Sequence, residues 1–473
     1  MKNRYCLILA VILFGLCSSC KSTKHSKPNI IFITVDDLND WVGVMGGHPQ
    51  TSTPNIDRLA SNGMFFSNAH AQTAICNPSR SSFMTSMYPS STGIYFNSGR
   101  IDESKTAKKN VVLTKRFEKG GYYVTGAGKL FHSGSDGLYI ENHAGHFGGF
   151  GPLPEQKLSS YSGHRLRDWG VYPENDDQTP DYKIAEWGTK QIGVNHDSPL
   201  FLGLGFYRPH VPFYAPQKWF DLHPLDTIKL PKTNPNDLKD ISTYAIKLAS
   251  LNKPPHDWVL MNNQWSKLVQ SYLASVSFVD HQIGKVLDTL ENSSYKDNTY
   301  VILFSDHGFH LGEKELWSKQ TLWETSTHVP LIITGPGIPQ GKVCDKPVEL
   351  LDIYPTLLEL TGLETDPNLE GNSLVPLLKN PKAEWPHIAR SSFGPGNYAI
   401  RTENYRYIHF NDGSEEFYDH TKDPHEWDNQ INNPEYSNII KKLKAFEPEK
   451  YHSILGSGST GHEAYKVAEE FRK

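Results

Sequence analysis

The sequence predicts an α/β fold in which helices flank a large, mostly parallel β-sheet, followed by a smaller C-terminal subdomain with an antiparallel sheet. Three observations support this prediction. Several apolar runs are continuous rather than alternating, as expected for strands that are covered on both faces. Segments with helical periodicity lie between these runs. After about residue 380, short strand-like segments such as NYAIRTENYRYIHF and EEFYDH alternate with turns and precede a helix near IIKKLKAF.

Five apolar runs are predicted to be buried parallel strands, and each is followed by polar residues or a glycine turn. They are NIIFITV before Asp36 and Asp37, YYVT before GAGKLFH, PLFLGLGF before YRPH, TYVILF before SDHG, and HVPLIIT before GPG. Ligands of open parallel sheets bind at the carboxyl ends of the strands. We therefore expect the functional site at that edge of the sheet.

Helices are predicted between the strands. In TSTPNIDRLASNG, Thr53 is a candidate N-cap, Pro54 suits the first turn and Gly63 suits the end. Between Gln264 and Leu290, apolar residues recur at alternating spacings of three and four, which places them on one helical face. The segment DIYPTLLELTGL is predicted to be the closing helix of the large domain.

The N-terminus, MKNRYCLILAVILFGLCSSC, predicts export. A basic start precedes an apolar run from Cys6 to Leu16 that is too short to span a bilayer as a permanent helix. This pattern is typical of a signal peptide over residues 1–19, and CSSC is similar to a lipoprotein cleavage site with lipidation at Cys20. Residues 20–27 then form a tether. We expect a protein of the periplasm or cell envelope that touches the membrane only through this lipid; ordinary cleavage to a soluble exported protein is the alternative.

Composition and charge limit the domain organisation and the partners. Of the 473 residues, 37% are hydrophobic and 12% are aromatic, which supports a packed globular core. The formal net charge of −5 gives no indication of a nucleic-acid partner, so any positive charge that meets an anion must be local. We predict one large domain over residues 28–380 and a C-terminal subdomain over residues 381–473.

Acidic residues cluster at two strand ends. Asp36 and Asp37 are adjacent, and Asp306 and His307 follow a later strand. Side-by-side carboxylates repel each other unless a cation lies between them, and three carboxylates from two strand ends suit Ca²⁺ or Mg²⁺. Taken alone, the Asp36-Asp37 pair is more typical of a helix N-cap or a solvated turn, and SDHG is typical of a turn.

Basic residues follow the other strands. They are Lys129 and His132 in GKLFH, Arg208 and His210 in YRPH, and Lys319 in WSK. A single surface lysine is usually only solvated, and a single histidine more often packs or forms a hydrogen bond. Together with Arg80, these residues are predicted to form a cationic cup around a tetrahedral anion.

The stretch AQTAICNPSRSSFMTS places Cys76 near the start of a helix. Pro78 suits a first helical position, and the backbone N–H groups at a helix start favour an anion. A cysteine nucleophile needs a nearby base and a lowered pKa, but the surrounding sequence matches no familiar cysteine-hydrolase pattern. An exported protein can instead pair Cys76 with Cys344 in a disulfide, which is the alternative.

The stretch CNPSR is similar to the C-x-P-S-R signature of the type I sulfatases, which depend on formylglycine. The chain also contains, in order, VDDL, TPNIDRLASNG, GKLFH, RPHVPF, SDHGFHLGE, HVP and DIYPTL, so the resemblance covers about residues 28–430. GKLFH, RPHVPF and the Asp-His pair most resemble the iduronate-2-sulfatase branch. The resemblance implies an alkaline-phosphatase-like sandwich fold and a catalytic domain that hydrolyses sulfate esters.

The resemblance also implies the cofactors. In this family a maturation enzyme oxidises the cysteine to formylglycine, whose aldehyde hydrates so that one hydroxyl becomes the nucleophile. Cys76 matches that position. One Ca²⁺ ion is implied, with ligands at Asp36, Asp37, Cys76, Asp306 and His307.

The remaining roles follow from the same resemblance. Arg80 and Lys129 would hold the formylglycine hydroxyls and the sulfate oxygens. His132 would accept the proton of the second hydroxyl. His210 and Lys319 would bind the sulfate group, together with Lys129, and would assist departure of the alcohol.

The implied substrate is a sulfated, uronate-containing polysaccharide or oligosaccharide, such as a glycosaminoglycan or the algal polysaccharide ulvan. Two other functions stay open. A phosphatase or phosphonate hydrolase of the alkaline phosphatase superfamily typically uses serine or threonine and two zinc ions bound by more histidines. A non-catalytic glycan-binding lipoprotein with the same fold would have lost a nucleophile or a metal ligand. The intact set around Cys76 favours the sulfatase.

Overall fold

A computed structural model describes residues 27–132, 135–249 and 254–472. The signal peptide predicted over residues 1–19, the lipidation site Cys20 and all but the last residue of the tether lie outside the described residues. None of the helices in the described ranges is long and apolar enough to cross a membrane.

The strands of the described residues form three sheets, and their bounds place the five predicted apolar runs in strands. The strands are β1 Asn29–Val35, β2 Met64–His70, β3 Tyr123–Gly128, β4 Asn142–His143, β5 Trp169–Val171, β6 Leu200–Phe206, β7 Phe213–Ala215, β8 Thr299–Ser305, β9 His328–Thr334, β10 Lys342–Cys344, β11 Val348–Glu349, β12 Ala389–Ser392, β13 Tyr398–Arg401, β14 Tyr405–His409 and β15 Glu415–Asp419.

The helices of the described residues lie mainly between the strands of the large sheet. They are α1 Pro54–Ser61, α2 Cys76–Thr85, α3 Pro89–Thr92, α4 Leu113–Lys119, α5 Asp136–Tyr139, α6 Pro180–Ile192, α7 Gln217–Phe220, α8 Thr243–Ala249, α9 His256–Met261, α10 Trp265–Glu291, α11 Glu324–Thr327, α12 Ile353–Thr361, α13 Val375–Lys379, α14 Ser437–Lys444 and α15 Thr460–Glu469.

The large sheet confirms the predicted fold class. Its strand order is β10-β2-β9-β8-β1-β6-β3-β4, with β11 also paired to β2. At its centre, β8, β1, β6 and β3 are adjacent and parallel. The prediction that HVPLIIT is a parallel strand is wrong, because β9 pairs antiparallel with both β8 and β2. A continuous apolar run indicates that a strand is buried on both faces, but it does not indicate whether the strand is parallel or antiparallel to its neighbours.

Two apolar layers cover the two faces of this sheet. Ile31 and Ile33 of β1 point towards the long helix α10, whereas Ile30 and Phe32 point towards α2, α4 and α12. The face of α10 predicted from its periodicity is buried as expected. Apart from tyrosines, the polar side chains of the central strands are Thr34 and Thr125 within the strands and Asn29, Thr299 and Ser305 at strand ends.

Helix α1 begins at Pro54 as predicted, but its cap differs from the prediction. Thr53 accepts a hydrogen bond from the Gly43 N–H group at 2.8 Å instead of capping its own helix. The carboxylate of Asp280, on α10, accepts from the N–H groups of Asn55 at 3.2 Å and Ile56 at 2.8 Å. The first turn of α1 is thus capped by a neighbouring helix.

The C-terminal part of the chain forms the predicted antiparallel sheet, in the order β12-β13-β14-β15. Helix α14 packs against it through Ile440 and Leu443. Ser391 and Ser392 donate hydrogen bonds to the carbonyl groups of Ala71 and Gln72, which ties this sheet to the end of β2. The boundary proposed at residue 380 stays a prediction.

Strands β3 and β6 approach each other closely where the site begins. A Cβ atom on Gly205 would lie 2.1 Å from the carbonyl oxygen of Lys129. Only glycine fits there, and the close approach places Lys129 directly beside the end of β6.

Candidate active site

The carboxyl ends of the four central parallel strands meet at one edge of the sheet. Val35 of β1 is in register with Phe206 of β6 and with Ser305 of β8. The Asp306 N–H donates to the Val35 carbonyl at 3.2 Å, and the Asp36 N–H donates to the Phe206 carbonyl at 3.1 Å. Asp36 and Asp306 therefore emerge side by side.

Cys76 lies among these residues, at the first position of α2. The helix begins at Cys76 rather than at Pro78. Its Sγ atom lies 3.1 Å from Lys319 Nζ and 3.3 Å from His307 Nε2. The alternative disulfide is wrong, because Cys76 and Cys344 are both free and buried.

Two lysines neutralise the first pair of carboxylates. Lys129 Nζ lies 2.5 Å from Asp36 Oδ2, and Lys319 Nζ lies 2.5 Å from Asp37 Oδ1. All four side chains are almost fully buried. Buried charges are stable only when they are paired, so these contacts hold both lysines beside Cys76.

Arg80 binds the third carboxylate from the second turn of α2. Its Nε donates to Asp306 Oδ2 at 2.9 Å, and its Nη2 lies 3.5 Å from Asp36 Oδ1. Its Nη1 donates to the carbonyl of Lys129. The guanidinium thereby joins α2 to the ends of β1, β3 and β8.

The charges act differently on the ionisable groups. Burial alone would raise the pKa of Asp36, but Lys129 and other nearby cations hold it well below its usual value. Burial dominates at Asp37 and raises its pKa despite Lys319. Burial also raises the pKa of the Cys76 thiol to about 11, and a protonated thiol is a poor nucleophile.

The donor atoms of this cluster fit a divalent cation. Ligand atoms of Asp36, Asp37, Cys76 and His307 all lie within 4.8 Å of one another. Asp36 Oδ1 and Asp37 Oδ2 are buried and accept no hydrogen bond, which is costly for a carboxylate oxygen unless a cation compensates. Asp306 is outside this set of four, because its oxygens accept from Arg80 and from the Asp37 N–H; its Oδ2 lies 3.6 Å from His307 Nε2.

Two histidines complete the site with free nitrogen atoms. His132 Nδ1 is buried and has no hydrogen-bond partner, and burial together with Lys129 lowers the pKa of His132 to about 3. His210 Nδ1 lies 2.6 Å from the Val211 carbonyl, so this nitrogen must carry a proton. The His210 Nε2 atom then faces the cluster, 3.9 Å from Asp37 Oδ2.

Arg208 does not belong to the predicted cationic cup. Its Nε donates to the Tyr214 carbonyl at 3.0 Å, and its Nη2 donates to the Phe150 carbonyl at 3.3 Å. The Phe150 ring in turn lies over Lys129 Nζ at 5.1 Å and against His210 at 4.5 Å between ring centroids. Arg208 thus holds the loop whose aromatic ring covers the site.

Two buried carboxylates that the sequence analysis did not identify hold the strand-end loops. Asp136 accepts from the N–H groups of Leu130 at 3.0 Å and Phe131 at 2.9 Å, between Lys129 and His132. A single acid in an irregular segment gives no sequence signal for this role.

Asp181 does the same for the loop after β6. It lies in the first turn of α6 and accepts from the N–H groups of Tyr207 at 2.7 Å and Arg208 at 2.9 Å. The motif TPDY at the start of α6 indicates an acidic residue in the first helical turn. It does not indicate which N–H groups that residue binds. Asp181 fixes the backbone just before His210.

The segment that carries Lys319 is anchored to the C-terminal sheet. Lys314 Nζ donates to the Glu426 carbonyl at 2.6 Å. Arg406 of β14 forms ion pairs with Glu324 of α11 and with Glu426. The position of Lys319 therefore depends on residues of the C-terminal sheet.

A cavity of about 240 Å³ adjoins the cluster on the side of Arg80 and His132. Its walls include Tyr139 and Ser98, whose hydroxyl groups are buried without hydrogen-bond partners. Arg100 is exposed at its rim. The cavity therefore extends from Arg80 and His132 to the exposed Arg100.

Comparison with known families decides the identity. The family model described as Sulfatase matches residues 28–363. The chain belongs to the sulfatase family. A second model, described as N-sulphoglucosamine sulphohydrolase, C-terminal, matches residues 312–450, which includes the Lys319 segment and the antiparallel sheet. The protein is therefore a hydrolase of sulfate esters.

Curated relatives resemble this sulfatase over most of its length. A sulfatase of Formosa agariphila is 42% identical and covers 95% of this chain and 92% of its own. The iduronate 2-sulfatase of Homo sapiens is 29% identical and covers 77% of this chain and 75% of its own.

A solved structure shares the fold. The phosphonate monoester hydrolase of Agrobacterium radiobacter superposes with a TM-score of 0.73 at 23% identity, covering 89% of this chain and 94% of its own. This similarity supports the alkaline-phosphatase-like architecture alone.

The sulfatase should lose activity when Asp181 is replaced by Asn. Tyr207 and Arg208 donate to different oxygens of Asp181, and asparagine has only one oxygen. One of the two N–H groups therefore faces the amide NH2 donor and loses a hydrogen bond worth about 1.5–3 kcal/mol. We expect kcat to fall about tenfold, because the backbone before His210 shifts. Steady-state kinetics on a sulfated sugar, whose alcohol leaves poorly, measures this loss.

The control for this substitution is Asp177→Asn, which changes an exposed carboxylate just before the same helix. It should leave kcat and the melting temperature within error. Full activity in the Asp181→Asn variant would show that this carboxylate does not position the loop.

Proposed function

We propose that this sulfatase removes sulfate from a sulfated, uronate-containing polysaccharide or oligosaccharide, using formylglycine at position 76 and one Ca²⁺ ion. The observation that carries the proposal is the packing of Cys76 Sγ against Lys319 and His307, beside paired Asp36 and Asp37. The similarity to iduronate 2-sulfatase supports the uronate-containing substrate. The catalytic domain is proposed to span residues 28–380.

The residues around position 76 are suited to bind the sulfate group. Lys319 Nζ is 3.1 Å from Cys76 Sγ, and Lys129 is held beside it by Asp36. Fixed cations in a buried site stabilise negative charge on the oxygens of a tetrahedral centre more strongly than mobile ones in water. Formylglycine, when formed, supplies a hydrated aldehyde whose hydroxyl group attacks sulfur.

The two histidines take opposite proton-transfer roles. His132 has a buried Nδ1 atom without a hydrogen-bond partner, and this geometry offers an acceptor for a proton near position 76. His210 presents Nε2 to the site. Burial and Lys319 lower the pKa of His210, and an anionic substrate beside it would raise that pKa again. His210, with Lys319, then assists the leaving alcohol.

The proposed metal ligands are Asp36, Asp37, position 76, Asp306 and His307. Carboxylate oxygens dominate this set, which favours a hard cation such as Ca²⁺ over zinc. The ion supplies positive charge that polarises the sulfate ester and the residue at position 76. These residues would hold the ion through oxygens that include Asp36 Oδ1 and Asp37 Oδ2, which accept no hydrogen bond.

The proposed setting is the periplasm or cell envelope. Its basis is the N-terminal signal pattern and Cys20, the proposed lipid attachment site. The proposed partners are a sulfated carbohydrate and a formylglycine-generating maturation enzyme. Sulfate release from a panel of defined sulfated oligosaccharides tests the function, and phosphate or phosphonate esters of the same alcohols test the alternative hydrolase. Faster hydrolysis of those esters than of the sulfates would overturn the proposal.

The active protein should carry formylglycine at position 76. Mass spectrometry of the tryptic peptide that contains CNPSR should find an aldehyde in place of the thiol, and a hydrazide probe should label it. Cys76→Ala should abolish activity and leave the fold intact by circular dichroism. An intact Cys76 thiol in fully active enzyme would contradict this assignment.

The metal should be calcium. Elemental analysis of the purified protein should find about one Ca²⁺ per chain, and a chelator should remove both metal and activity. Asp37→Asn should lose the metal, whereas Asp288→Asn, whose carboxylate is 62% exposed, should keep it. Stoichiometric zinc, with activity restored only by zinc, would contradict the assignment.

His210 should matter most when the alcohol leaves poorly. His210→Ala should lower kcat on a sulfated sugar by about 10²–10⁴-fold and on an aryl sulfate by much less, because a general acid contributes little when the phenolate leaves unaided. Substituting His210 and Lys319 together measures how far the two residues share the role of assisting the leaving alcohol. Equal losses of kcat on both substrates would leave His210 as a sulfate-binding residue only.

A further inference from the structure

Arg167 lies beside the segment that carries Lys319. It lies in the irregular segment between β4 and β5, and its side chain is half-buried. Its Nη2 donates to Ser318 Oγ at 3.2 Å, and its Nη1 donates to the Trp317 carbonyl at 3.4 Å. A guanidinium has five N–H donors, so the two bonds to neutral oxygens leave capacity for a ligand.

Arg167 has no counter-ion among the residues that the structure describes. No carboxylate oxygen of these residues lies within 4.0 Å of it, whereas the buried cations Arg80, Lys129 and Lys319 each have one. The two internal segments that are not described, 133–134 and 250–253, contain no acidic residue. Burial without a counter-ion is costly for a cation.

Arg167 lies near residues that are proposed to meet the substrate. It lines a small cavity with Val211, the residue after His210, and with Trp317. It thus stands between the segments of His210 and Lys319, the two residues proposed to meet the leaving group. The charge of Asp37 also acts on the pKa of Arg167, which burial lowers.

The backbone around Arg167 is fixed. The neighbouring Asp168 carboxylate is buried and accepts from the N–H groups of Leu158 at 2.8 Å and Ser159 at 2.7 Å. The Tyr214 hydroxyl donates to the same carboxylate. Trp169 then enters β5, which pairs with β7. The guanidinium is therefore held in place before any ligand arrives, which lowers the entropic cost of binding.

We propose that Arg167 binds a second anionic group of the substrate, a carboxylate or a further sulfate, next to the sulfate that is removed. This inference rests on the proposed function. Both anions match the planar, two-pronged geometry of a guanidinium. Arg167 then selects for sugars that carry a second negative charge near the reacting ester, and an uncharged sugar leaves the guanidinium unpaired.

The test compares matched substrates in Arg167→Gln. The substrates are a sulfated uronate, its counterpart with the carboxylate reduced to hydroxymethyl, and the reduced sugar with a second sulfate at that position. The wild type should prefer one dianionic substrate over the reduced sugar, and Arg167→Gln should lose about 10²-fold of that preference in kcat/KM, chiefly through KM. Arg167→Lys should recover part of it. If Arg167→Gln loses the preference for one dianionic substrate, the second anion of that substrate is the group that Arg167 binds.

The control is Arg165→Gln, an exposed arginine two residues earlier in the same stretch. It should leave the preference ratio as in the wild type. A purely structural role for Arg167 predicts equal losses on all three substrates and a lower melting temperature. An equal loss, or an unchanged preference in Arg167→Gln, would overturn the inference.

A binding measurement separates this inference from the proposed function. Calorimetry with the three sugars on Cys76→Ala and on the double variant Cys76→Ala/Arg167→Gln needs no turnover. Weaker binding of a dianion, but not of the reduced sugar, in the double variant supports Arg167 even if the wild type hydrolyses none of these esters. In that case only the proposed function fails. Equal affinities in the two proteins refute the role of Arg167 even when hydrolysis is observed.

Discussion

The pairing of three buried carboxylates with three buried cations is the interaction on which the site depends. Parallel pairing of the central strands brings the carboxylates to one edge, and their mutual repulsion there has to be compensated. Lys129, Lys319 and Arg80 supply the compensation from three different segments. Because each cation is needed at its own position, the loops, the second turn of α2 and the sheet edge constrain one another.

A second use of buried charge lies behind the site. Asp136, Asp168 and Asp181 each accept two backbone N–H groups from irregular segments. Such segments lack the hydrogen-bond ladder of a helix or a strand, and buried N–H groups without partners are costly. The carboxylates accept hydrogen bonds from these N–H groups and thereby fix the loops that carry the side chains of the site.

Sequence reasoning predicted what is encoded locally. Continuous apolar runs identified the buried strands, so the edge where Asp36 and Asp306 meet followed from their positions, and the CNPSR motif identified the start of α2. The direction of β9 and the capping of α1 by Asp280 could not be predicted, because both depend on elements distant in the chain. Arg167 and Asp136 were missed for a related reason, since an isolated charged residue in an aperiodic segment has no pattern to mark it.

The anchoring of the Lys319 segment has a consequence for the order in which the protein matures. Arg406 and Glu426, which hold that segment, lie about 90–110 residues beyond Lys319 in the chain. During synthesis the strands that bear Asp36, Lys129 and Asp306 are made well before these anchors exist. Until Arg406 and Glu426 have been made, the Lys319 segment lacks these anchors, and the charged cluster around Cys76 stays incomplete.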